Sequence, residues 1–167
     1  KLHCNPLPAP VTGLQCAQFN SVDDALRATQ IAIKHDPFAV ELIDHFILDC
    51  TKRSLEHRAN RFFLEGEPAA VLVTEIRGDS QEEVIAVTSK LEAQMRTAGY
   101  GYTYPVLFGS DTDKIWDLRK AGLGLMSNMP GDAKPAPVVE DTAVDVADLP
   151  EYNIKSSDRA SLFFFCQ

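Results

Sequence analysis

Positive charge is scarce in this 167-residue chain: 16 Lys and Arg stand against 24 Asp and Glu, a formal net charge of −8. Phosphate binding needs a basic surface, so nucleic acid is excluded as the main partner. Cysteine is sparse too. Cys4, Cys16, Cys50 and Cys166 form no Cys-x-x-Cys pair, which points to reduced thiols of a cytoplasmic protein rather than a disulfide framework. His3, His35, His45 and His57 lie in the first half of the chain without His-x-x-x-His spacing, so no metal site is expected from this chain alone. No apolar run approaches the roughly 18 residues that span a bilayer, and the N-terminus lacks the apolar core of a signal peptide. A glycine-rich phosphate loop, a Gly-x-Ser-x-Gly elbow, a self-contained nucleophile–base pair and internal repeats are all missing.

What remains is ample material for one core. Hydrophobic residues make up 45% of the chain, enough for a single domain of this length. Residues 1–13 hold three prolines and a glycine and read as an irregular linker from an upstream domain. Leu14 to Phe19 alternates as a strand. Ser21 caps a helix to about Lys34, with Asp24 as the acidic half of a capping box, and Asp36 before Pro37 ends it. Phe38 to Ile43 is a short strand, and Asp44 caps a helix to about Ser54. Residues 55–68 show no clear period. Ala69 to Ile76 is β-branched and largely apolar, the mark of a central strand. Ser80 and Glu83 form a capping box for a helix to Ala98, and Gly99 stops it. Tyr102 to Phe108 is a strand that Pro105 confines to a sheet edge. A helix start at 148–150 and a strand in the closing SLFFFCQ complete the order. Two split βαβ-type units predict an α+β, ferredoxin-like antiparallel sheet with helices packed on one face.

The stretch 114–144 concentrates the polar groups that chemistry needs. Ser110 or Asp111 starts a helix on which Ile115, Trp116, Arg119, Gly122 and Leu123 share a face, opposite Asp113, Asp117 and Lys120. An arginine on an apolar face needs an anion. An internal acid such as Glu75 or Glu140 would serve, or a route to the surface; so would a ligand carboxylate, which fits the planar guanidinium fork. Gly122 and Gly124 either end the helix or admit a close approach. Pro130, Gly131 and Asp132 make a turn, Lys134 is held extended before Pro135, and Val138 and Val139 lead to Glu140 and Asp141. Lys134 alone reads equally as a solvated lysine, and the two acids as a solvated rim.

This segment resembles the C-terminal, substrate-side domain of FAD-linked oxidases, the group that includes glycolate oxidase, D-lactate dehydrogenase and D-2-hydroxyglutarate dehydrogenase. The residues that carry the resemblance are Trp116-Asp117-Leu118-Arg119-Lys120-Ala121-Gly122-Leu123-Gly124, Gly131-Asp132-Ala133-Lys134 and Glu140-Asp141-Thr142-Ala143-Val144. Glu41-Leu42-Ile43-Asp44, Phe63-Leu64-Glu65-Gly66 and Ala69 to Glu75 add weaker likeness. The resemblance implies the cap domain of vanillyl-alcohol-oxidase-type flavoenzymes over residues 14–167. It implies that Arg119 clamps the carboxylate of a 2-hydroxy acid (D-lactate, glycolate or D-2-hydroxyglutarate), with Lys134 as second cation and Trp116 and Glu140 toward the cofactor. FAD would be bound mainly by a domain outside this chain, and the substrate α-hydrogen would pass to it as hydride. The wording of the motifs is most similar to large members fused to an iron–sulfur region, which implies 4Fe–4S clusters and a divalent metal elsewhere in the protein.

Two departures stand out. Asp145 occupies a place where relatives usually carry proline, and the family's His-Ala-Gly-x-Gly-x-x-His segment should follow a strand like SLFFFC. The chain is therefore expected to be a domain truncated before its histidine motif, inactive alone and with no catalytic residue of its own. Its expected setting is the cytoplasm or the periphery of the inner membrane, its partners are a small acid and its own FAD-binding domain, and there is room for a homodimer. A competing reading is a non-catalytic ferredoxin-like interaction or regulatory module, since fold does not dictate function. A third is a flavin-linked oxidase of an alkyl-phosphate or phenolic substrate.

Overall fold

The computed structural model describes residues 7–127, 144–152 and 165–166. The elements run β1 (Val11–Phe19), α1 (Val22–Ala32), β2 (Ala39–Asp44), α2 (His45–Arg53), β3 (Ala70–Gly78), α3 (Gln81–Thr97), β4 (Val106–Phe108), α4 (Ser110–Ser127) and β5 (Phe165–Cys166). Three helices begin where short polar side chains can accept the amide three residues on, in the first turn. Ser21 Oγ accepts from the Asp24 N–H at 3.1 Å, Asp44 Oδ1 from Ile47 at 3.0 Å and Ser80 Oγ from Glu83 at 3.2 Å. The Glu83 carboxylate reaches back past Ser80 to the Asp79 N–H, at 2.8 Å.

The five strands form one sheet in the order β4-β1-β3-β2-β5, every described pairing antiparallel. The first four strands follow the ferredoxin-like arrangement, with α1 and α3 as its crossover helices. These two pack on the face that carries Ala17, Phe19, Val40 and Leu72, closing a core with Ala25, Ala28, Leu91 and Met95.

The expectation of helices on one face holds for α1 and α3 and is incomplete for the sheet as a whole. The opposite face, with Leu14, Cys16, Ile43, Val71 and Val73, is covered by α2 and α4 through Ile47, Leu48, Ile115 and Leu118. The physical reason lies in β1 and β3, buried at successive residues from Gly13 to Phe19 and from Ala70 to Ile76. Successive side chains point to opposite faces, so strands of this kind require cover on both.

The first strand also starts earlier than expected. Val11, Thr12 and Gly13, inside the stretch read as linker, pair with Gly78, Arg77 and Ile76, because β3 extends that far and its backbone needs a partner. Gly13 is required there: a Cβ would lie 2.6 Å from Val84 Cγ1 and 2.9 Å from the Phe108 ring. Pro105 does mark an edge, but it shortens the strand. The ladder with β1 covers only Val106–Phe108, and the Pro105 carbonyl accepts from the Cys16 N–H at 2.8 Å.

The aperiodic stretch 55–68 contains a helical turn, Arg58–Arg61, and a loop pinned by one side chain. Gln18 is fully buried. Its Nε2 donates to the Phe63 carbonyl at 2.8 Å and its Oε1 accepts from the Glu65 N–H at 2.9 Å.

Candidate functional site

Helix α4 presents Ile115, Leu118 and Gly122 as its buried stripe, at the i, i+3, i+7 spacing of one helical face. Leu118, which the sequence reading left off this face, is fully buried. The glycines do not end the helix, which continues to Ser127. Gly122 instead admits α2: a Cβ would lie 3.0–3.2 Å from three side-chain atoms of Ile47. Gly124 faces open space, with nothing within 4 Å.

Trp116 and Arg119 flank the buried stripe. Trp116 is half-buried and packs on the core beneath α4. Arg119 reaches β2, where its Nε and Nη2 donate to a single oxygen, Glu41 Oε2, at 3.1 and 3.0 Å. The two side chains are only 22% and 14% exposed. A charge pair this withdrawn from water is worth more than a surface pair and is costly to split.

Glu75, one of the acids expected to serve Arg119, is taken by a nearer cation. It accepts from Arg77 Nε at 2.6 Å, two residues along the same face of β3, and the Arg77 guanidinium lies 3.4 Å from the Phe38 ring centroid. Register places Glu41 opposite Val73 and Ala39 opposite Glu75. The two acids are therefore diagonal neighbours on one sheet face, each with its own arginine. Lys134 and Glu140 lie outside the described residues.

Sequence reasoning assigned no role to Glu41, although it stands in the Glu41-Leu42-Ile43-Asp44 motif. Its signal was an acid sharing the strand face of Ile43. A second feature also escaped it: an open depression of about 420 Å³ lined by Asn20, His45, Asp49, Lys52, Glu67 and Pro68. There Lys52 already bridges Asp49 at 2.8 Å and Glu67 at 2.5 Å, so its charge is spent within the protein. Among the described residues no group of three His, Cys, Asp or Glu could hold a metal ion, and no helix is long and apolar enough to cross a membrane.

The family model for FAD linked oxidases, C-terminal domain, matches residues 10–161, nearly the whole chain and all of α4 with its Arg119. The chain belongs to this family. Similar curated proteins are D-2-hydroxyglutarate dehydrogenases. That of Haemophilus influenzae is 29% identical over 145 residues, covering 81% of this chain and 14% of the relative. That of Pseudomonas putida is 26% identical over 161 residues, or 91% of this chain and 16% of the relative. That of Pantoea ananatis is 26% identical over 165 residues, or 93% and 16%. The chain thus spans about one-seventh of the length of these relatives. The family supports both the α+β architecture and the resemblance read from the α4 motif.

Proposed function

We propose that this chain is the substrate-side domain of an FAD-dependent dehydrogenase of 2-hydroxy acids, with D-2-hydroxyglutarate the leading candidate over D-lactate and glycolate. The observation that carries the reading is Arg119: a guanidinium within the family's α4 motif, held at the margin of a packed layer by Glu41. The relatives' names favour the substrate.

In this reading Arg119 binds the substrate carboxylate and sets the α-carbon in place, the positioning component of catalysis. Glu41 cancels the charge of Arg119, so attraction of an anionic substrate calls for a second cation. Lys134 is proposed for that role on the resemblance, with Glu140 beside the cofactor.

FAD, when bound, supplies the hydride acceptor. The described residues do not fit its diphosphate. The first turns of α1, α3 and α4 each carry two acids, and α2 is capped by Asp44, so each of these helix N-termini meets an approaching anion with negative charge. The nucleotide is therefore assigned to an FAD-binding partner domain, and any divalent metal or 4Fe–4S cluster to residues other than those described.

The internal pairing of Arg119 also favours a second reading, in which the arginine is structural and the domain a non-catalytic module. Flavin bleaching by D-2-hydroxyglutarate, D-lactate and glycolate in the full-length protein separates the two. Arg119→Ala should raise KM for the true substrate roughly 30-fold or more, from a lost charge-assisted bond of about 2–3 kcal/mol. Unchanged KM and kcat would leave only the structural reading.

A further inference from the structure

We infer that Glu41 is the positioning residue for Arg119, fixing the plane of its guanidinium while lowering the site's hold on anions. The inference rests on the proposed role of Arg119 and extends it to a residue on a different element, 78 positions away.

Three observations support it. First, Nε and Nη2 lie on one edge of the guanidinium, and both donate to the same oxygen, Glu41 Oε2. Two donors on one acceptor define the plane and rotation of the fork, which an arginine on a flexible stem does not hold by itself. Second, Glu41 is anchored. It sits on β2 between Val73 of β3 and Phe165 of β5, and its side chain is 14% exposed. Third, the neighbouring Glu75 has its own arginine at 2.6 Å, so the partnership of Glu41 with Arg119 is not exchanged along the rim.

The electrostatic consequence has a sign. Glu41 holds a negative charge beside the place where the substrate carboxylate arrives, and so opposes anion binding while improving orientation. Its removal should loosen geometry and strengthen anion capture together.

The test uses the full-length flavoprotein, with D-2-hydroxyglutarate as substrate and oxalate as an anion with no transferable hydrogen. Glu41→Gln is isosteric and keeps an acceptor without its charge. It should lower kcat about tenfold while oxalate binds several-fold tighter, a split that mere loss of folded protein does not produce. Glu41→Asp keeps the charge but shortens the reach, and should lower kcat with oxalate affinity within twofold of native. In the double variant Glu41→Gln/Arg119→Ala, the loss of kcat should equal that of Arg119→Ala alone, because Glu41 orients the substrate only through the arginine. Glu75→Gln, which breaks the neighbouring pair, is the control and should leave kcat and KM within twofold.

Native kcat in Glu41→Gln, weaker oxalate binding in parallel with kcat, or multiplied losses in the double variant would each overturn the inference. So would an equal loss from Glu75→Gln. If Arg119→Ala itself is silent, the proposed function falls with it. If Arg119→Ala is impaired and Glu41→Gln is not, only the present inference falls.

Discussion

Gly122 and Gly124 sit two residues apart in α4, and alanine at the two positions should act with opposite sign. In a helix interior, glycine costs about 1 kcal/mol relative to alanine, so both substitutions start with a similar gain. At Gly124 nothing lies within 4 Å of the new methyl, and the gain should survive as roughly 0.5–1 kcal/mol. At Gly122 the methyl meets Ile47 Cδ1, Cγ2 and Cγ1 at 3.0, 3.1 and 3.2 Å. Carbon atoms prefer about 3.5–4.0 Å, so Ile47 or the whole α2–α4 seam has to yield by about half an ångström. Ile47 is only 6% exposed and has little room, and overpacking of this kind costs about 1–3 kcal/mol. Because the helix-propensity gain cancels between the two variants, their difference isolates that cost. Urea unfolding followed at the single tryptophan, Trp116, is the direct assay, since its ring packs on the core beneath α4. With a slope of about 2 kcal/mol per molar, the two midpoints should separate by roughly 0.5–1.5 M. Ile47→Val, which removes the nearest atom, should recover part of the loss in a Gly122→Ala background. Coincident midpoints would show that α4 does not sit against α2 as described.

Other outcomes follow from the same geometry. Replacing Gln18 with alanine strands the Phe63 carbonyl and the Glu65 amide, which should cost about 2–3 kcal/mol and speed hydrogen exchange at Glu65 well ahead of global opening. Burial raises the Asp44 carboxyl above its usual range, and its bond from the Ile47 amide only partly offsets this. A carboxyl raised on folding contributes stability that is fully present below its unfolded pKa and is lost as pH rises through the folded value. Asp44→Asn keeps the cap without the buried charge; it should therefore stabilise at neutral pH, with the advantage shrinking in acid, as read from melting temperature against pH. Burial likewise pushes the Cys16 thiol far up, while Cys50 is half-buried. Mass-spectrometric mapping after alkylation should find Cys50 modified in the native protein and Cys16 only after unfolding.

The parts of the fold legible in the sequence are those set by neighbours a few residues apart. Ser21, Asp44 and Ser80 cap helices because the side chain and the amide it satisfies are three residues apart. Pro105 marks an edge because it lacks an N–H. What escaped is long-range. The pairing of Arg119 with Glu41 joins α4 to β2, and nothing local distinguishes Glu41 from Glu75 as a partner; only strand register and the reach of Arg77 decide it. The second helical layer was visible only indirectly, in successive apolar residues from Ala70 to Val73 of β3. Gly122 showed that close approach was one option, but the approaching residue, Ile47, lies 75 positions earlier in the chain.

The strand order has a consequence for how the domain is made. β2 lies between β3 and β5, and its outer neighbour comes from residues 165–166, far later in the chain. During synthesis β2 therefore waits with a bare edge, the feature most open to mispairing with other chains. The arginine that meets Glu41 also emerges long after that strand. Contacts of such sequence separation form slowly, because loop closure comes before their reward. An acid midway along β2 then serves the nascent chain as well as the finished one: a charge on that edge discourages unwanted strand partners until its arginine arrives to neutralise it.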